Sequence, residues 1–390
     1  MQGHSALYTL FWQLPSCHVI KTFAMSTQHL SDQNKRLSIA LLTIILLAAL
    51  TLIAGSSCKS PGEKPAAGEN SAATSDTTAA ARPSGDPLPS WNEGTVKKSI
   101  IDFVNSITTT GSPDFIQPPD RIATFDNDGT LWSEQPLYFQ FFYALDQVKA
   151  LSAKHPEWKK KQPFKAVIEN NMGELMKQGE KGLLQVIAAT HAGMTSDEFN
   201  TIITQWIDTA KHPIKKKLYK ELIFQPMLEL VRYLQANQFK TFIVSGGGID
   251  FMRPWAETAY GIPKDQIVGS SGKSVYDYNN GNPVIRKLPE VDFIDDKAGK
   301  PVGIEKFIGR KPVIACGNSD GDLQMLQWTA SNKLKNLELY VHHTDSVREW
   351  AYDRKSHIGT FDKGWDEAIA KKWLIADMKN DWKVIYPFDK

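Results

Sequence analysis

The chain has 390 residues, too many for one comfortable core and enough for two compact modules. A make-up that is 42% hydrophobic and 23% charged excludes a wholly disordered or fibrous chain. Three cysteines exclude a disulfide framework and a four-thiolate zinc site, and a net charge of +2 gives no electrostatic case for a nucleic-acid partner.

In chain order, the first element is the uncharged apolar run from Leu37 to Ala54, preceded by Lys35 and Arg36 and followed by Gly55, Ser56, Ser57 and Cys58. Positive flank, apolar run and small-residue exit predict an export signal or a retained membrane helix over residues 1–58. The small residues before Cys58 resemble the lipobox of bacterial lipoproteins, in which that cysteine is lipidated; Gly55 stands where the pattern prefers a branched aliphatic residue. Either reading puts the remainder in the cell envelope, on the periplasmic or surface face, because Lys35 and Arg36 stay cytoplasmic. Met25 opens a more conventional leader and is a second candidate start. Residues 59–92, rich in Ala, Ser, Thr, Gly and Pro, predict a flexible tether, since they hold too little apolar surface to offset their ordering entropy.

Beyond the tether, three short apolar runs each stop at a polar, glycine-containing turn. Arg121 to Phe125 leads into Asp126-Asn127-Asp128-Gly129-Thr130, Thr241 to Val244 into Ser245-Gly246-Gly247-Gly248, and Pro312 to Cys316 into Gly317-Asn318-Ser319-Asp320-Gly321-Asp322. Such runs predict buried parallel strands with a helix after each turn, so the turns converge in the crevice at the carboxyl ends of one sheet. The expected fold is α/β, a parallel sheet core formed by residues 93–133 and 222–390. A helical insert over residues 134–221 covers the strand ends, its apolar residues recurring at helical spacing. Around Asn279-Asn280-Gly281-Asn282 the alternating stretches predict a hairpin within Ile267 to Arg286, and Leu337 to Val341 predict a further strand.

Asp126 and Asp128 stand two apart at a strand end, where alternation turns both side chains to one side. Two carboxylates so close repel, so one holds a proton or both share a cation, and oxygen ligands of this kind suit Mg²⁺. Gly129 relieves the turn, and Thr130 is expected to hydrogen-bond one of the carboxylates. Alone, such a pair is also met where Asp merely caps a helix.

The run Phe125 to Leu131 resembles the first motif of the haloacid dehalogenase-like superfamily, in its phosphatase branch, where phosphoserine phosphatases are similar. Ser245 at the end of its strand is similar to the second motif, Lys300 at the head of Pro301 to Ile308 to the third, and Gly317 to Asp322 to the fourth. The resemblance spans roughly residues 95 to 345, with the insert where a helical cap belongs, and implies a three-layer Rossmann-like core. It also implies that Asp126 attacks phosphorus to give an aspartyl-phosphate and that Asp128 protonates the leaving oxygen and then activates water. Thr130, Ser245 and Gly246 would bind the substrate phosphate, and Lys300 would offset its charge. Asp126, Asp128 (through its main-chain carbonyl), Asn318 and Asp322 would hold Mg²⁺. Asp128 favours phosphate chemistry over dehalogenation, which needs no acid there. The pattern departs at Asn318, where many phosphatases of the family carry Asp.

Lys297 and Lys306 compete with Lys300, which helix register favours. Glu134 and Gln135 follow the first motif one position out of step with the substrate-contacting acid of phosphoserine phosphatases. Arg253 is expected to meet an anionic substrate tail or a surface carboxylate. His342 and His343 are expected to be structural, as is buried Cys316, and the lysine runs 159–161 and 215–217 to be solvated helix faces. The sequence thus predicts a membrane-tethered, Mg²⁺-dependent phosphomonoesterase for a small phosphorylated metabolite. Its rivals are a phosphotransferase and a non-catalytic lipoprotein that binds a phosphorylated ligand.

Overall fold

The computed structural model describes residues 85–389, except residue 280. The expected signal or anchor around Leu37–Ala54 and the candidate lipidation site Cys58 lie outside the described residues. The expected tether runs too far, because Leu88 and Trp91 are fully buried in the main core and Asp86 pairs with Lys97. Two large apolar side chains close together outweigh the surrounding small residues in that count.

After helix α1 (Thr95–Thr108) come β1 (Ile122–Phe125) and then the long insertion with α2 (Phe139–Leu151), α3 (Gly179–His191) and α4 (Ser196–Thr209). The chain returns through α5 (Gln225–Ala236), β2 (Lys240–Gly248) and α6 (Ile249–Tyr260), then forms the hairpin β3 (Ile267–Asn279) and β4 (Asn282–Phe293). The short α7 (Gly299–Gly303) continues as a wider π-turn, Ile304–Ile308. It is followed by β5 (Ile314–Gly317), α8 (Leu323–Ala330), β6 (Leu337–His342), α9 (Lys363–Lys371) and β7 (Leu374–Asp377).

These strands form one seven-stranded sheet in the order β4-β3-β2-β1-β5-β6-β7, parallel throughout except for the β3–β4 hairpin. Alternation along the strands divides the apolar residues between two packed layers. Ala123, Phe125, Ile243, Ile314, Cys316, Leu339 and Val341 enter the larger cluster, whereas Ile122, Phe242, Val244, Ala315 and Tyr340 enter another. Burial on both faces is why these strands read as continuous apolar runs. With helices on both sides, this is the expected three-layer α/β fold.

The insertion is helical, as its periodicity predicts, and its residues divide between two cores. Phe141, Leu145, Val148, Trp158, Phe164 and Val186 make a small cluster of their own. Phe139, Tyr143 and the inner face of α4, with Phe199, Ile203, Trp206 and Ile207, join the main core instead. Helix α4 starts at a capping box, Thr195 with Glu198, in which each side chain bonds the other's backbone N–H. The hairpin also reaches the insertion, through backbone hydrogen bonds from Gly193 to Lys287 and from Lys287 to Met194.

Candidate active site

The carboxyl ends of β1, β2 and β5 are neighbours, so the three turns converge as sheet geometry requires. Asp126 ends β1 with its amide bonded to the Cys316 carbonyl of β5. The β2–β3 ladder jumps from Ser245 opposite Gly269 to Gly248 opposite Ser270, which leaves Gly246 and Gly247 as a bulge at the end of β2. A Cβ on Gly247 would lie 3.3 Å from Ser245 Oγ, 3.4 Å from Asp128 Oδ2 and 3.6 Å from Gln140 Oε1. The glycine therefore keeps open a polar cradle between the first two turns. Gln140, at the start of α2, accepts a hydrogen bond from the Gly248 amide at 2.7 Å and ties the insertion to this bulge.

Lys300 is the cation of the crevice. Its ammonium donates to Asp126 Oδ1 at 2.6 Å, to Asp322 Oδ1 at 2.6 Å and to the Val244 carbonyl at 2.8 Å. Burial pulls its pKa down, but the two carboxylates outweigh that and hold it above the ordinary lysine value. The competing lysines lie elsewhere: Lys297 beside Asp296, and Lys306 over the rings of Phe293 and Phe307.

Asp128 Oδ1 accepts from the Trp132 indole at 2.9 Å. Burial pushes its carboxyl up to about 6 against that hydrogen bond, within reach of proton transfer near neutrality. Burial, then the nearby Asp322, holds Asp126 well above the usual carboxylate range in spite of Lys300. Asp322 gives Oδ2 to the amides of Asn318 and Ser319. With Oδ1 on Lys300, it reaches a cation only by releasing a partner or through water.

The expectation for Thr130 is corrected. The Thr130 hydroxyl is fully buried and donates to Asn318 Oδ1 at 3.3 Å, not to a carboxylate, because the β1 turn packs against the β5 turn. Burial and that bond remove it from contact with substrate. Arg253 donates to the Lys264 carbonyl and, among the described residues, forms no ion pair with a surface carboxylate. Among the weaker candidates, Asp320 accepts from the amides of Asp362, Lys363 and Gly364 at the start of α9. Residues 159–161 are exposed, but they end and follow the 3-10 turn Pro156–Lys159 and do not form a helix face; residues 215–217 are not helical either, and Lys215 lies over Trp350 and Lys217 over Phe388. Cys316 is buried. His342 lies 3.9 Å from Asp353 and against Trp365.

Pattern reading undervalued the groups behind the β1 turn. Glu134, 2% exposed, accepts from Asn318 Nδ2 at 2.7 Å and from the Tyr352 hydroxyl at 2.8 Å. Burial raises its carboxyl well above the ordinary value, with Asp128 and Asp126 adding to the effect. His343 donates from Nε2 to the Gly129 carbonyl at 2.8 Å and stacks on Tyr352. Gly129 itself has φ 76°, and a Cβ there would overlap Asn318 and Glu134. At the mouth, burial of the Tyr138 hydroxyl and the fields of Glu134, Asp128, Asp126 and Asp296 raise its pKa, although the ring is 40% exposed.

Four carboxylates (Asp126, Asp128, Glu134 and Asp322) thus lie in or behind the crevice, and Lys300 pairs directly with two of them, Asp126 and Asp322. Three of them have raised pKa values, with burial as the leading cause and like-charge repulsion adding to it. A hard divalent cation would discharge that crowding, so the donor set fits Mg²⁺. Among the described residues no three His, Cys, Asp or Glu side chains are arranged to hold a metal. Few side-chain ligands, supplemented by carbonyl, amide and water oxygens, are what Mg²⁺ tolerates.

Residues 123–327 match the family model described as haloacid dehalogenase-like hydrolase. No curated protein matches the chain. Among solved structures, a protein of unknown function from Bordetella pertussis Tohama I is 15% identical, covering 66% of this chain and 98% of its own, with TM-score 0.42. A phosphoserine phosphohydrolase-like protein from Francisella tularensis SCHU S4 is 19% identical over 57% of this chain and 87% of its own, with TM-score 0.32. A substrate-bound phosphoserine phosphatase is 15% identical over 65% and 98%, with TM-score 0.30. Likenesses this distant say nothing of what this chain acts on.

Proposed function

The chain belongs to the haloacid dehalogenase-like hydrolases, and on that premise we propose that it is a Mg²⁺-dependent phosphomonoesterase for a small phosphorylated metabolite. The carrying observation is the meeting of Asp126, Asp128, Ser245 and Lys300 around the cradle that Gly247 keeps open. Phosphate chemistry needs a nucleophile, a proton carrier and anion-holding groups within one small space, and these residue types supply them.

Lys300 occupies Oδ1 of Asp126, which leaves Oδ2 to attack phosphorus. The P–O bond to the leaving alcohol breaks as the bond to Asp126 forms, and Asp128 gives the departing oxygen its proton. Asp128, now a carboxylate, takes a proton from water as that water displaces Asp126 and releases inorganic phosphate. Ser245 and the Gly246 amide hold phosphate oxygens, and Lys300 offsets their charge. The Asp126 carboxylate, the Asp128 main-chain carbonyl, Asn318 and Asp322 would hold Mg²⁺, which would supply charge neutralisation at the phosphate.

The test is hydrolysis of a generic aryl phosphate by the full chain with Mg²⁺. Turnover that falls by about 10³-fold or more in Asp126→Asn is expected of a lost nucleophile. No turnover across a broad panel of phosphomonoesters would instead favour a phosphate-binding protein, and transfer to added alcohol beyond water competition a phosphotransferase. We further propose that residues 1–58 deliver the enzyme to the cell envelope, anchored by lipid at Cys58. Membrane retention of Cys58→Ala would refute the lipid anchor.

A further inference from the structure

Position 318 carries an amide beside a buried acid, Glu134, that pairs with no cation among the described residues. Glu134 accepts only neutral donors in the hydrogen bonds it makes, from Asn318 Nδ2 and the Tyr352 hydroxyl. Glu134 Oε1 occupies space that Gly129 and Gly359 leave open by lacking a Cβ, so the carboxylate is seated against the backbone of both turns. A buried carboxylate without a protein counter-ion is costly unless it takes up a proton or a cation from outside the protein balances it.

Asn318 is constrained from both ends. Its Nδ2 donates to Glu134 and its Oδ1 accepts from Thr130, while its backbone N–H is held by Asp322. An aspartate here would set carboxylate against carboxylate at the 2.7 Å that now separates amide from Glu134. The amide turns that repulsion into a bond and fixes which way its oxygen faces.

We infer that Asn318 and Glu134 are a matched pair in which the negative charge of the cation site sits on residue 134 rather than on residue 318. Glu134 is thus a positioning residue, orienting the Asn318 amide and lending its charge to the cation. The inference rests on the Mg²⁺ requirement proposed above. Its test therefore reads binding and stability, so that a protein that binds the ion but hydrolyses nothing would count against the phosphatase reading alone.

The full chain is titrated with Mn²⁺, free ion being followed by electron paramagnetic resonance, and the melting temperature is measured without metal. Glu134→Gln keeps the acceptor and loses the charge, so Mn²⁺ affinity is expected to fall about tenfold or more. Asn318→Asp is expected to lower the metal-free Tm by about 5 °C or more, through two adjoining buried acids. The double variant, which exchanges amide and acid between the two positions, is expected to recover both properties. Affinity unchanged in Glu134→Gln, or additive losses in the double variant, would overturn the pairing. Should Glu134→Gln fail to fold, Asn318→Asp decides alone: a lowered metal-free Tm supports the pair, and an unchanged or raised one overturns it.

Discussion

In the crevice, Asp126, Lys300 and Asp322 are 6%, 1% and 1% exposed, and they hold one another by charge at 2.6 Å. In the helical insertion, Tyr143, Trp206 and Tyr219 are buried to a similar depth, held ring against ring, with Trp206 stacked on Tyr219 at 4.8 Å. The physics of removal differs. Truncating a ring costs transfer and cavity energy and leaves the chemistry alone. Removing one member of the charged cluster strands its partners and alters the field at the reacting atoms as well.

The sharpest way to break that contrast is Lys300→Met. Turnover is expected to fall about 10²–10³-fold, the scale of losing one preorganised charge contact. Melting should also fall, because Asp126 and Asp322 would face each other unpaired. Turnover within tenfold of the parent would contradict the central place given to Lys300. In the insertion, Trp206→Ala should cost about 3–5 kcal/mol in chemical denaturation, with kcat and KM little changed below the melting range. A large loss of kcat in the folded variant would mean that the insertion's core reaches the reaction.

Asp295 offers a third case, buried like the crevice acids but with no side-chain donor on either carboxylate oxygen among the described residues. Burial is the leading cause that pushes its carboxyl up to about 7 from an ordinary 3.8, with Lys300 only partly offsetting it. The folded state therefore keeps a proton that the unfolded chain releases. Stability is largest below the unfolded value and is lost as pH rises through about 7. Metal-free Tm should accordingly decline between pH 5 and 8, and Asp295→Asn should make that slope shallower. An unchanged slope would assign the dependence to other raised acids such as Glu338. The smallest effect is expected of Gly247→Ala, whose methyl intrudes into the phosphate cradle. KM should rise about tenfold, the cost of a lost charge-assisted contact, while Tm stays put.

The same contrast explains what could be read in the chain. Asp126 and Ser245 sit at the ends of buried strands and Asp322 at the head of the helix after β5, and their placement follows from apolar runs that stop at polar turns. Lys300 followed from helix register. The hairpin β3–β4 announced itself through the asparagine–glycine turn. What escaped depends on chain far away in sequence: Tyr352 and Gly359 close over Glu134 from the loop after β6, more than 200 positions from it. No periodicity in either segment encodes that meeting. Thr130 was assigned to a carboxylate because its true partner, Asn318, belongs to a turn 188 residues later. The split of the insertion between two cores was likewise hidden, since an apolar helix face does not state which neighbour covers it.

The proposed covalent chemistry at Asp126 is the step on which every other proposed role in the crevice depends. Crystals of the full chain grown with beryllium fluoride and Mg²⁺ should show the fluoride complex joined to the Asp126 carboxylate, with Ser245 and Lys300 beside it. Density bound to Asp128 or outside the crevice, with Asp126 bare, would contradict the proposed nucleophile.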